Sequence, residues 1–130
     1  MSDIQTHIEV DHNPRPNEIA LREYLDTIAP GLHTRIVVDA GHIHNYERFR
    51  ERGITFLISG GGGAKPHPVP RGPEDLYTDQ SFPNYHYVKF VFDGSTVKGS
   101  MIRIADPLAN EANWELKDSF NVQRCRMHVE

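Results

Sequence analysis

The chain has 130 residues, and 14 lysines and arginines against 18 aspartates and glutamates leave it a formal charge of −4. That length predicts one domain spanning 1–130, and the mild acid excess lacks the clustered Lys and Arg that a nucleic-acid partner requires. A lone cysteine, Cys125, excludes an intrachain disulfide. No apolar run reaches the ~18 residues of a membrane span, and Met1-Ser2-Asp3-Ile4-Gln5 lacks the basic and apolar regions of a signal peptide. The expectation is a soluble cytoplasmic protein without nucleic-acid or membrane partners. Eight histidines, with no tag-like tract to account for them, are the unusual feature.

Residues 1–12 alternate around Ile4, Ile8 and Val10 and predict a short strand stopped by Pro14 and Pro16. Asn17 is placed to cap a helix from Glu18, with Leu21, Tyr24, Leu25 and Ile28 at helical spacing and an end near Pro30-Gly31. Ile36-Val37-Val38 and Ile54-Thr55-Phe56-Leu57-Ile58 are β-branched, nearly unbroken apolar runs, as in strands buried on both faces. Such strands need cover, which predicts a second copy or a partner chain. Residues 65–84 hold five of the nine prolines and predict a long loop. Tyr85–Phe92 and Thr96–Ile104 flank Asp93-Gly94-Ser95, a hairpin signature, and Trp114–Val122 predicts an edge strand. The order gives an α/β fold: a mixed sheet, one main helix and a C-terminal β-hairpin.

The sharpest chemical feature is Gly41-His42-Ile43-His44, following the first apolar run. On a strand, side chains two apart point the same way, so both imidazoles can converge, and neutral imidazole is a common ligand for zinc, iron and related metals. The alternative is two exposed polar residues at a strand end.

The stretch Val38-Asp39-Ala40-Gly41-His42-Ile43-His44-Asn45-Tyr46-Glu47-Arg48 resembles the last ligand motif of the calcineurin-like metallophosphoesterases, in the Gly-His-x-His-x-Tyr-Glu-Arg form of the purple acid phosphatase-like branch. The segment Ile54–Ala64 is similar to the strand and glycine turn that follow in that family, and Tyr85–Gly99 to its closing hairpin, so the likeness covers about residues 8–122. It implies half of a two-sheet β-sandwich and a phosphoric ester hydrolase. The cofactor implied is a dinuclear centre of zinc, iron or manganese whose bridging hydroxide attacks phosphorus. His42 and His44 would each bind one metal. His12, in His12-Asn13-Pro14 ahead of the helix, matches a third ligand, with His7 a less well placed alternative. The family's Asp-x-His, Gly-Asp and Gly-Asn-His motifs do not occur, and Asp11, Asp39 and Glu47 are the nearest local carboxylates. The resemblance therefore implies the C-terminal half of an active site, acting on a phosphoester substrate only when another chain completes it. The other class of reading is a non-catalytic module that acts through oligomerisation or partner binding.

Gly60–Lys65 fails the phosphate-loop template, since Pro66 stands where Ser or Thr is required. Close backbone approach or a flexible turn is the expectation for these glycines. His67, Tyr77 and His86 are candidates to reach the mouth of a site. Glu47 and Arg48 read as a structural ion pair or a helix-start contact, Trp114 and Tyr85, Tyr87, Phe90 and Phe92 as core, and Cys125 as a spectator thiol.

Overall fold

Pro16 opens the helix one residue ahead of Asn17: α1 is Pro16–Ile28 in the computed structural model, which describes residues 15–124. Proline suits the first helical position, where its missing N–H has no intrahelical partner to lose. The Arg15 backbone N–H donates to Glu18 Oε2 at 2.8 Å, closing the first turn. A 3-10 turn, Ala29–Gly31, ends the helix where Pro30-Gly31 predicts. Only part of the apolar stripe faces inward. Leu25 and Ala29 pack inward and Asp26 is buried, while Leu21 and Tyr24 are 57% and 61% exposed. Arg22 pairs with Glu51 at 3.0 Å. That ion pair and the Ala29 contact set the roll of the helix, which periodicity alone does not determine. The strand expected around Ile4, Ile8 and Val10 lies outside the described residues.

Two three-stranded sheets follow. In the first, β1 (Val37–Ala40) runs parallel to β3 (Ile54–Ser59), and β2 (Tyr46–Glu51) pairs antiparallel with β3's other edge. In the second, β4 (His86–Asp93), β5 (Thr96–Ile104) and β6 (Trp114–Asn121) are all antiparallel. Asp93 pairs with Thr96, leaving Gly94-Ser95 as a two-residue turn in which Gly94 takes φ +51°. An α/β architecture with a mixed sheet, one main helix and a C-terminal hairpin is thus present. The second sheet is antiparallel throughout.

Strand alternation sorts the core into two layers. Ile54 and Phe56 face α1, packing with Phe49, Ala29 and Leu25. Leu57 and Tyr46 face the second sheet, where Met101, Phe120 and Val122 meet them. Ile54–Leu57 is buried on both faces as expected, but Ile36, Val37 and Val38 are only partly buried, β1 being an edge strand among the described residues. The hairpin aromatics also divide. Phe90 packs edge-on to Phe120 at 6.3 Å. Tyr87, Phe92 and Trp114 are not core: they are exposed, with Tyr87 and Trp114 in contact at 5.3 Å on the outer face of the second sheet.

The expected loop, 65–84, has no helix or strand yet is closely packed, with Val69, Asp75, Tyr77 and Asn84 buried. It covers the outer edge of β2. The Arg48 N–H donates to Asp75 Oδ1 at 3.1 Å, the Leu76 N–H donates to Arg48 O at 2.7 Å, and Arg71 Nη1 donates to Tyr46 O. Edge groups that would otherwise invite another strand are satisfied internally.

Candidate functional site

The two motif histidines lie in a turn. β1 ends at Ala40, and residues 41–45 cross the carboxyl end of β3 to enter β2. Two tight hydrogen bonds shape the crossing, Ile43 N–H to Gly41 O at 2.9 Å and Asn45 N–H to Ile43 O at 2.8 Å. His42 sits at φ +73° and is exposed. The alternation expected to put both rings on one face is therefore broken, because the chain turns at His42 instead of continuing as a strand. The location itself suits ligand binding, since crevices at the carboxyl ends of strands are where open α/β sheets take ligands.

Gly60 makes the crossing possible. A Cβ there would lie 1.9 Å from Ile43 O, and one on Gly61 would lie 2.1 Å from Asn84 O and 2.2 Å from His86 Nδ1. Close backbone approach is the role of both glycines.

His44 is held on three sides. Its Nδ1 lies 2.6 Å from Lys65 O. A carbonyl only accepts, so Nδ1 carries the proton and Nε2 keeps the lone pair, the tautomer that metal-ligating histidines adopt when a carbonyl orients them. The His67 ring stacks on it, centroids 4.3 Å apart and 16° from parallel. The backbones are also joined. His67 N–H donates to His44 O at 3.1 Å, and His44 N–H donates to His67 Nδ1 at 3.3 Å. Asn45 Nδ2 donates to His67 O at 2.6 Å. His67 thus reaches the site from the long loop, while Tyr77 and His86 do not. Tyr77 is buried edge-on to Tyr46 at 5.1 Å. His86 is buried between the sheets, donating from Nδ1 to Asn84 O at 2.7 Å and accepting at Nε2 from Ser59 Oγ at 3.0 Å. Burial holds its imidazole below the ordinary value, so it is a neutral structural histidine.

Glu47 and Arg48 are not partners. Successive strand residues face opposite ways. Arg48 binds Asp118 on β6, Nε to Oδ2 at 2.7 Å and Nη2 to Oδ1 at 3.1 Å. Glu47 is wholly buried, and neither carboxyl oxygen has a hydrogen-bond partner among the described residues. Burial first, then the nearby Asp75 carboxylate, pushes its carboxyl up to about 7 against the opposing pull of Arg71. Tyr46, whose hydroxyl donates to Asp118 Oδ2 at 2.9 Å, is likewise raised, by burial and then by Asp118. No sequence signal marks Asp118 as the partner 70 residues away.

As a metal site the cluster is incomplete. Asp39, on β1, has its carboxyl raised by partial burial. No group of three His, Cys, Asp or Glu able to hold a metal ion occurs among the described residues. His12, His7, Asp11 and Cys125 lie outside them. No helix of the described residues is long and apolar enough to cross a membrane. No protein-family model, curated protein or solved structure matches the chain.

Proposed function

We propose that the chain supplies the final ligand segment of a metal-dependent phosphoric ester hydrolase of the calcineurin-like metallophosphoesterase class, on one half of that class's two-sheet sandwich. The observation that carries this reading is the His44 ring, fixed by the Lys65 carbonyl at 2.6 Å with Nε2 as its basic nitrogen, beside an exposed His42. Two imidazoles do not make a hard dinuclear centre, which needs carboxylate oxygens. The remaining donors, and with them hydrolysis, lie outside the described residues. Incubation with zinc, iron or manganese followed by metal analysis tests the reading. The expected result is substoichiometric to single-metal binding that His44→Ala and His42→Ala each reduce, without phosphoester hydrolysis by this chain alone. Absence of bound metal, or binding indifferent to both substitutions, overturns it.

A second reading rests on the outer face of the second sheet. Tyr87, Trp114 and Leu116 are each about half exposed or more on one sheet face, with the Tyr87 and Trp114 rings in contact, an apolar surface of the kind that marks an interaction site. On this reading the chain is an oligomerising or partner-binding module, and the retained histidines are vestigial. Sedimentation at tens of micromolar tests it: association that Trp114→Lys abolishes supports it, and a monodisperse monomer counts against it.

A further inference from the structure

Two buried carboxyls, Asp26 and Glu47, have no hydrogen-bond partner among the described residues, and Glu47 is the one beside the 65–84 loop. It lies on β2 opposite Ile58 of β3, wholly buried. Above it the 65–84 loop is latched to the β2 edge by Asp75 and Arg71. Asp75 accepts from the Arg48 N–H at 3.1 Å, the Tyr77 N–H at 3.0 Å and Arg71 Nη1 at 2.8 Å. Arg71 Nη1 also donates to Tyr46 O, and Nη2 to Asn45 Oδ1 at 3.2 Å. One guanidinium thus already serves a buried carboxylate, and Glu47 is a second carboxyl beside the same pair.

We propose that Glu47 makes this latch sensitive to pH: protonated, it leaves the Arg71–Asp75 pair intact and the 65–84 loop closed, and ionised, it opens the loop. The ionised carboxylate would repel Asp75 and compete for Arg71 in a place closed to water, where neither charge is screened. Its ordinary value is 4.5, and in the closed state it lies at about 7. The charged groups facing it from the loop are Asp75 and Arg71. β3 contributes no charge over Ile54–Ser59. α1, on the same side of the sheet, brings Arg22, paired with Glu51, and the buried Asp26. The loop also carries Lys65 and His67, which orient His44, so opening releases that ring. The latch stands on the β2 edge and does not depend on the metal reading.

Hydrogen exchange of the whole chain from pH 4.5 to 8, corrected for intrinsic chemical rates, tests the proposal. The reporters are the amides of His67, Leu76 and Tyr77. In the wild type their opening should increase with pH by up to about tenfold per unit, levelling off above about 7. Glu47→Gln should hold them at the low-pH level throughout, while Asp26→Asn should leave the wild-type dependence unchanged. A wild-type loop indifferent to pH, or an equal dependence in Glu47→Gln, overturns the latch. If Glu47→Gln does not fold, the carboxyl carbon resonance of Glu47 in the wild type decides. It must titrate together with the loop amides, and titration apart from them overturns the proposal.

Discussion

Arg48 and Asp118 are 70 residues apart and form a two-pronged ion pair, 2.7 Å and 3.1 Å, that joins β2 of the mixed sheet to β6 of the antiparallel one. Both side chains are nearly buried, at 12% and 10% exposure. Tyr46 adds a third donor to the same carboxylate, and the Arg48 guanidinium lies 4.7 Å over the Phe120 ring.

Removing one partner leaves the other charge buried and uncompensated. Asp118→Ala should therefore destabilise the chain by about 3–5 kcal/mol, whereas the double replacement Arg48→Met with Asp118→Leu should cost much less. Urea unfolding midpoints of the three proteins check this. An additive double variant would show that the pair is not the cause.

The glycine run should respond unevenly to alanine. At Gly60 and Gly61 the new Cβ would overlap backbone oxygens of Ile43 and Asn84, while at Gly62 nothing lies within 4 Å. Gly60→Ala and Gly61→Ala should each cost at least about 1–3 kcal/mol, the range for overpacking. Gly62→Ala should be close to neutral. Thermal unfolding of the three variants gives the comparison directly.

Two buried groups should impose opposite pH slopes on stability. Glu47 is raised from 4.5 to about 7, so between those values the fold retains a proton the unfolded chain has released, and stability is lost as pH rises. His86 is lowered from 6.5, so its contribution is present above 6.5 and is lost as pH falls. Relative to wild type, Glu47→Gln should gain stability from pH 4.5 to 7, by at most roughly 1.4 kcal/mol per pH unit. His86→Gln should gain relative to wild type as pH falls below 6.5. Denaturant melts across that range would settle both, and parallel curves for all three proteins would refute the assignment.

Under the metal reading, His67 is a positioning residue for His44. His67→Ala removes the stacked ring and the Nδ1 acceptor but leaves the Lys65 carbonyl in place. Zinc affinity should fall by about 10–100-fold, the usual effect of losing a group that orients a ligand. Calorimetric titration with zinc is the measurement, and unchanged affinity would confine His67 to a packing role.

Much of the fold was legible in order along the chain. Pro30-Gly31, the run Ile54–Ile58 and Asp93-Gly94-Ser95 each write a local preference that the structure obeys, because turn chemistry and β-branching act on neighbouring residues. The Gly41–His44 segment was legible as a site but not as a shape. Its rings depend on a crossing over Gly60, a contact 17 residues away that no local pattern encodes.

The amino-acid sequence by itself determined the elements and the donor types: one helix, the apolar runs, the hairpin, and histidines clustered after the first strand. Tertiary structure alone decided which side of α1 is buried, that His67 and not His86 joins His44, that Arg48 pairs with Asp118, and that Glu47 has no hydrogen-bond partner among the described residues. These are outcomes of packing between distant segments. Hydrophobic periodicity measures only whether a side chain prefers to leave water, while ion pairs, close backbone crossings and stacked rings depend on which surface arrives opposite it.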